Sequence, residues 1–104
     1  MSFNGNEGEF VTLGDASRWT ANYRNTIQPG EVIAFAAGKV KIIELLNQEG
    51  CMGARIYYAI KDDGEKNLVI VGVDENGDDL ENGLIIDQFI PCPKYCSKSN
   101  RLNS

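Results

Sequence analysis

Residues 67–74, NLVIVGVD, decide the fold, because this stretch is apolar on both faces of the strand that it predicts. Valines at alternate positions form one face, and Leu68 and Ile70 lie on the other. Antiparallel sheets usually leave one face to water. We therefore expect this segment to be the central strand of a layered fold, covered on one face by helices and on the other by the N-terminal segment, the tail or a second subunit.

The neighbouring segments continue this strand as an antiparallel meander. Residues 54–60, ARIYYAI, have the composition of a strand, and residues 62–67, DDGEKN, that of a turn. Asn76-Gly77 is a strong hairpin signal, since both residue types tolerate positive φ. Residues 84–90, LIIDQFI, predict the last strand. The sheet should thus have three or four strands, and it is followed by a tail that contains two cysteines.

Two helices are predicted before the sheet. Residues 12–26, TLGDASRWTANYRNT, carry apolar side chains at steps of three and four, and Thr12 with Asp15 fits a capping box. Residues 31–50, EVIAFAAGKVKIIELLNQEG, show a second apolar stripe, which Gly50 should end. The predicted class is α+β, with two N-terminal helices followed by the meander.

The chain has 104 residues, which corresponds to about one domain. Residues 1–11 are rich in Gly, Asn and Glu and are expected to be a flexible N-terminal segment. Residues 12–104 are expected to form a single α+β domain. Neither a signal sequence nor an apolar run long enough to span a bilayer is present in the sequence, so we expect no membrane partner, a cytoplasmic location and mostly reduced cysteines.

Charge is unevenly distributed along the acidic chain, whose net charge is −5. Residues 62–87 hold nine acids against Lys66 alone, whereas the tail from residue 88 carries three cations and no acid. An acidic surface repels phosphate backbones, so a nucleic-acid partner is not expected. The tail cations are placed either to fold back on the acidic region or to meet another copy of it.

Histidine is absent from the sequence. Ser-His-Asp and Cys-His nucleophile arrangements are therefore excluded, and most zinc-ligand sets are weakened. A general base would have to be a carboxylate, a lysine or a tyrosine with a shifted pKa. We expect no cofactor, and the sequence leans away from an enzyme without deciding the question.

Three motifs occur in order: GCMGARIYY at residues 50–58, VGVD at residues 71–74 and PCPKYC at residues 91–96. In this succession the chain resembles a group of small uncharacterised bacterial proteins that carry GCxGxRIYY, VGVD and PCPxxC. The resemblance covers about residues 36–100. It implies a complete stand-alone domain of bacterial origin and implies no catalytic or binding residues, because no activity is established for the group.

The stretch PCPKYC has three interpretations. The first is a redox pair of Cys92 and Cys96, whose thiolates would be stabilised by a helical turn after Pro93 and by the charge of Lys94. Three residues separate the two cysteines, however, whereas redox motifs have two. Together with Cys51 they form a candidate thiolate metal site, one ligand short of a normal zinc set. The third interpretation, in which the cysteines and prolines fix the tail against the sheet, is favoured.

A second candidate site is a binding patch made of Arg55, Tyr57 and Tyr58. Arginine and tyrosine are enriched in interface hot spots. Alternation places Arg55 and Tyr57 on one face and Tyr58 on the other. The alternative is that Arg55 pairs with an acid of the next strand, for example Asp74. Trp19 and the tyrosine one turn later, on the first predicted helix, are expected in the core or in an interface.

The function that the sequence favours is a non-catalytic interaction or assembly module, as a homo-oligomer or with a protein partner. A thiol redox or metal-binding protein that uses Cys92 and Cys96 is the alternative. A domain that binds a small ligand, in a cavity lined by Arg55 and the tyrosines, is a further one.

Overall fold

The computed structural model describes residues 2–104, which divide into two compact units. Unit 1 comprises residues 2–7 and Ala37–Phe89, and unit 2 comprises Gly8–Ala36 and Ile90–Ser104. Along the described residues, the elements are α1 (Leu13–Arg24), β1 (Ala34–Ala36), α2 (Lys39–Leu46), β2 (Gly53–Ile60), β3 (Lys66–Val73), β4 (Ile85–Ile86) and β5 (Ile90–Cys92). The α+β class with antiparallel strands is confirmed.

Unit 1 contains a three-stranded antiparallel sheet in the order β2-β3-β4. β2 and β3 pair without interruption from Gly53 opposite Val73 to Ile60 opposite Lys66. On the other side of β3, Ile70 lies opposite Ile86. β3 is therefore the central strand, as the apolar pattern of residues 67–74 predicts.

The core of unit 1 lies around the second half of β3, where both faces of the strand are buried from Ile70 to Val73. α2 packs against β3 and β4 and contributes Leu45, which like Val73 has no exposed surface. Burying a side chain of this size stabilises the fold by about 1.5–3 kcal/mol. The chain itself covers this half of β3, so the strand does not require a second subunit for that purpose.

Two glycines of unit 1 permit close packing on the sheet. A Cβ on Gly72 would lie 3.0 Å from both Cys51 Sγ and Gln48 Nε2, the latter from the residues that follow α2. On Gly53 a Cβ would lie 2.6 Å from the ring of Phe3. The Phe3 N–H also donates to the carbonyl of Glu75 at 2.8 Å. Residue 3 is thereby attached to the strand end at which β2 begins.

Unit 2 joins α1 to a pair of short strands. Thr12 caps α1 as predicted, since its Oγ1 accepts the N–H of Asp15 at 3.1 Å. β1 and β5 run antiparallel, with Ala34 opposite Cys92, and the Ile33 N–H donates to the Cys92 carbonyl at 2.7 Å. None of the α1 residues is buried. The apolar stripe of this helix therefore remains accessible.

Two predicted elements differ from the structure. The second helix was expected over residues 31–50, but α2 begins at Lys39 after the N-cap Gly38, and Ala34–Ala36 form a strand. An apolar run of this kind suits either state, and pairing with β5 selects the strand. The last strand was expected over residues 84–90, but Gln88 has φ 64°, in the left-handed region, and separates β4 from β5.

Neither helix found among residues 2–104 combines the length and the hydrophobicity needed to cross a bilayer.

Candidate functional site

The outer edge of β2 is the first candidate site. β3 pairs with one side of β2, and within the described part of the chain no strand pairs with the other side. The edge is eight residues long, contains no proline and keeps an unbroken register. Natural sheets usually protect such edges with prolines, bulges or lysines because the free backbone groups attract another strand. β2 lacks these devices between Gly53 and Ile60.

Three large apolar side chains of β2 are exposed on one face: Ile56 at 56%, Tyr58 at 96% and Ile60 at 72%. Residues two apart on a strand share a face. Ile70, which pairs with Ile56 on the neighbouring strand, is only 6% exposed. The same face of the sheet is therefore covered over β3 and open over β2.

The opposite face of β2 carries a polar cluster. Arg55 Nη1 donates to Oδ1 of Asp79, and the Tyr57 hydroxyl donates to Oδ2 of the same carboxylate. Arg55 therefore pairs with an acid, but this acid is Asp79, which follows the hairpin turn, and not an acid of the next strand such as Asp74. The Asp74 carboxylate instead accepts the backbone N–H of Asn76 and thereby forms the hairpin turn.

The cluster changes the acidity of its members. The hydrogen bond from Tyr57 and, after it, that from Arg55 lower the pKa of Asp79, because both stabilise the carboxylate. The hydrogen bond to Asp79 raises the pKa of Tyr57, since the bond needs the phenol proton. Arg55 and Tyr57 are thus fixed on one face, and Tyr58 projects from the other. The structure does not bring the three residues of the predicted patch together.

Cys92 and Cys96 form a disulfide in unit 2. Cys92 is buried at the end of β5, Cys96 is exposed, and the intervening turn is closed by the Tyr95 N–H, which donates to the Pro91 carbonyl at 3.0 Å. Two of the three cysteines, which the sequence analysis expects to be mostly reduced, are thus joined in the structure. Bridging so short a loop contributes about 2 kcal/mol by loop-closure entropy.

Cys51 is a free, partly buried thiol in unit 1. Its Sγ lies 3.1 Å from the carbonyl oxygen of Gly53, a distance at which the thiol donates a weak hydrogen bond. In residues 2–104, no group of three or more His, Cys, Asp or Glu residues is placed to hold a metal ion. Of the three cysteines proposed as a thiolate site, Cys51 belongs to unit 1, and Cys92 and Cys96 belong to unit 2.

Unit 2 also contains a cavity of about 690 Å³. Its aromatic wall consists of Trp19, Tyr23, Phe35 and Tyr95, and Cys92 lines it as well. The sequence analysis predicts a cavity lined by Arg55 and the tyrosines of β2. Arg55 does not line the cavity of unit 2. The only sequence signal for this cavity is the helical spacing of Trp19 and Tyr23. That spacing predicts a position in the core or in an interface and does not predict a cavity.

Asp79 is the member of the polar cluster that the sequence did not point to. It follows the Asn76-Gly77 turn, and a single bridge places it opposite Val73. From there its carboxylate reaches across β3 to side chains on β2. The Asn76-Gly77 signal predicts a turn before Asp79. It does not specify which of the several acids after the turn has its side chain on the sheet.

The chain matches no protein-family model, and comparisons with curated proteins and with solved structures gave no significant match.

Proposed function

We propose that this protein is a non-catalytic interaction module that associates with a second copy of itself through the outer edge of β2. The observation that carries this proposal is the outer edge of β2, which no strand of the described residues pairs with, and the exposure of Ile56, Tyr58 and Ile60 along this strand. An exposed, long, regular and apolar edge is a ready template for strand addition.

Two copies of β2 suit each other as partners. With antiparallel strands and a two-fold axis at Tyr57, Ile56 of each copy faces Tyr58 of the other, and Arg55 faces Ala59. Pairs of an aromatic with a β-branched side chain contribute about 0.2–1 kcal/mol each. The two Arg55 side chains are not opposite one another, so this arrangement avoids a like-charge pair. The result is a continuous antiparallel sheet with three strands from each copy.

The wider assignment belongs to the same proposal. We place the protein in the bacterial group that shares GCxGxRIYY, VGVD and PCPxxC, and in the cytoplasm. The nine acids of residues 62–87 support a protein partner over nucleic acid. The isologous arrangement is the commonest form of homo-oligomer, which supports a dimer as the minimal assembly.

Sedimentation equilibrium across a wide concentration range tests the proposal. We expect the wild-type chain to dimerise and Tyr58→Lys to remain monomeric, because the charge replaces the most exposed apolar side chain of β2. Val40→Lys is the matched control, since Val40 is an exposed apolar residue of α2 in the same unit, at 69%. A wild-type chain that stays monomeric at millimolar concentration contradicts the proposal, as does an equal loss of association in both variants.

A thiol–disulfide function is the second candidate, supported by the bond between buried Cys92 and exposed Cys96. A thiolate from outside attacks Cys96 Sγ, the sulfur–sulfur bond breaks, and Cys92 leaves as a thiolate. In the cytoplasm such bonds are usually transient or redox-sensing. Equilibration with glutathione buffers tests the idea: a reduction potential well above about −300 mV supports exchange, and a lower one indicates a purely structural bond.

A further inference from the structure

We infer that the cavity of unit 2 binds a small aromatic carboxylate, that is, a molecule with one or two fused rings and one anionic group. Its volume of about 690 Å³ is in the range of small-ligand sites, roughly 300–1,000 Å³. Trp19, Tyr23, Phe35 and Tyr95 supply four aromatic rings from α1, β1 and the bridged turn. Aromatic side chains pack favourably against another planar ring.

The exposure of α1 supports a ligand at this place. A helix of a small domain normally buries its apolar stripe against the rest of the protein. In α1, Trp19 is 49% exposed and Tyr23 is 54% exposed, and both line the cavity. The stripe, which the sequence analysis expects in a core or an interface, therefore faces open space within unit 2. A flat apolar molecule placed there removes this aromatic surface from water.

The charges around the cavity indicate whether its ligand is an anion or a cation. Arg18 lies 5.8 Å from the centroid of the Trp19 ring, and Lys94 lies 5.8 Å from that of Tyr95. Aromatic cages often bind cations, but two of these rings already have a cation of the protein beside them. Arg24 lines the cavity, whereas none of the lining residues found among residues 2–104 is an Asp or Glu. Arg18 is paired with Asp15 at 3.0 Å, so the charge on the cavity wall is that of Arg24, which favours an anionic ligand over a cationic one.

Arg24 is the residue suited to the carboxylate. Its guanidinium donates to the backbone oxygens of Leu102 at 2.7 Å and Ser104 at 3.2 Å. A guanidinium has five N–H donors, and planar carboxylates are its preferred partners. The two bonds hold the tail, and Leu102 is itself part of the cavity wall. Arg24 thus both positions the wall and presents a positive charge to the ligand.

The disulfide restricts the motion of one wall of the cavity. Tyr95 lies inside the loop that the Cys92–Cys96 bond closes, and both Cys92 and Tyr95 line the cavity. Opening the bond releases the turn that holds the Tyr95 ring. A side chain held in place loses less entropy on binding than a mobile one. We therefore expect the reduced protein to bind the ligand several-fold more weakly.

Two probes of matched shape and opposite charge test the inference: 1-naphthylacetate and 1-naphthylmethylammonium. The chain has one tryptophan, so the indole N–H of Trp19 gives a single assignable NMR signal. We expect 1-naphthylacetate to shift this signal saturably and to bind at least tenfold more tightly than the ammonium probe. Arg24→Gln should remove most of that preference for the anion.

Variants separate the cavity from other surfaces. Tyr95→Ala should weaken 1-naphthylacetate at least fivefold, and because Tyr95 is 64% exposed, its loss leaves the core intact. Phe10→Ala removes an exposed aromatic side chain of unit 2 that does not line the cavity, and it should leave the affinity unchanged. No shift with several millimolar 1-naphthylacetate, or equal binding of the two probes, overturns the inference. A Trp19 signal that moves with protein concentration alone also overturns it, since a second copy then occupies the cavity.

Discussion

The Tyr57 hydroxyl donates a hydrogen bond to Oδ2 of Asp79, although 22 positions separate the two residues along the chain. Arg55 donates to the other oxygen of that carboxylate from the same face of β2. One carboxylate thus holds two side chains of the edge strand and orients the polar face of β2. The apolar residues Ile56, Tyr58 and Ile60 are consequently kept on the opposite face.

Asp79→Asn should lower the melting temperature modestly, because an amide replaces the charged acceptor of two hydrogen bonds. Thermal unfolding followed by circular dichroism measures the change. Glu81→Gln, which removes an exposed acid two residues away, is the control and should have little effect. Equal melting temperatures for Asp79→Asn and the wild type would show that the cluster does not stabilise unit 1.

The same cluster predicts a dependence of stability on pH. Asp79 has a lowered pKa in the fold, so its contribution is present above the ordinary carboxyl value of about 3.9 and is lost as the pH falls through the lowered pKa. Tyr57 has a raised pKa, so its contribution is complete below the ordinary value of about 10 and is lost only as the pH rises through the raised pKa.

Difference absorbance of the tyrosines over alkaline pH checks this expectation. Subtracting the titration of Tyr57→Phe isolates the phenol of Tyr57 from the other three tyrosines. In Asp79→Asn, the pKa of Tyr57 should return towards the ordinary value. A Tyr57 pKa that is the same in both backgrounds would contradict the assigned cause.

Gly72→Ala should lower the free energy of unfolding by about 1–3 kcal/mol, as overpacking of a core does. The added Cβ would lie 3.0 Å from Cys51 Sγ and Gln48 Nε2 and 3.1 Å from Leu80 Cδ1. Gly14→Ala is the control with the opposite sign, because its Cβ has no neighbour closer than 3.8 Å and alanine favours a helix by up to about 1 kcal/mol. Urea unfolding measures both variants.

Reduction should lower the stability of unit 2 by about 2 kcal/mol, the loop-closure value for the Cys92–Cys96 bond. Thermal unfolding with and without reductant measures the effect. Cys96→Ser should already be destabilised and should no longer respond to reductant. Cys51→Ser retains the bond and should respond as the wild type does. A response that survives in Cys96→Ser would mean that reductant acts at another group.

Amide hydrogen exchange should reveal the pairing of β2. With increasing protein concentration, we expect protection of the outward-facing N–H groups of β2 to rise, because a second copy covers them. At Ile70 and Val71, β3 lies between β2 and β4, so protection of their N–H groups should not depend on concentration. Protection in β2 that is independent of concentration would contradict association at this edge.

The sequence predicts those elements whose residues carry their own signal. Residues 67–74 are apolar on both faces and become the central strand, and Thr12 caps α1 with its own side chain. Residues 34–36 carry no such signal, since an apolar run suits a helix or a strand equally. Its state depends on pairing with a segment more than 50 positions away, which one sequence does not reveal.

The candidate site was predictable to a similar extent. Alternation places Arg55 and Tyr57 on one face, and the structure joins them. Their partner Asp79 depends on the exact path of a turn among several acids. The exposure of Ile56, Tyr58 and Ile60 was not predicted, because the same residue types occur at buried and at exposed positions of a strand. Exposure is a property of the packed chain.

Unit 2 is assembled from the two ends of the sequence, since β1 at Ala34–Ala36 needs β5 at Ile90–Cys92 as its partner. During synthesis the first strand must therefore wait until more than 50 further residues have left the ribosome. Residues 37–89, by contrast, can collapse as a contiguous stretch and form their sheet earlier. The edge of β2, at which we propose that two copies associate, is thus formed before the cavity of unit 2 is complete.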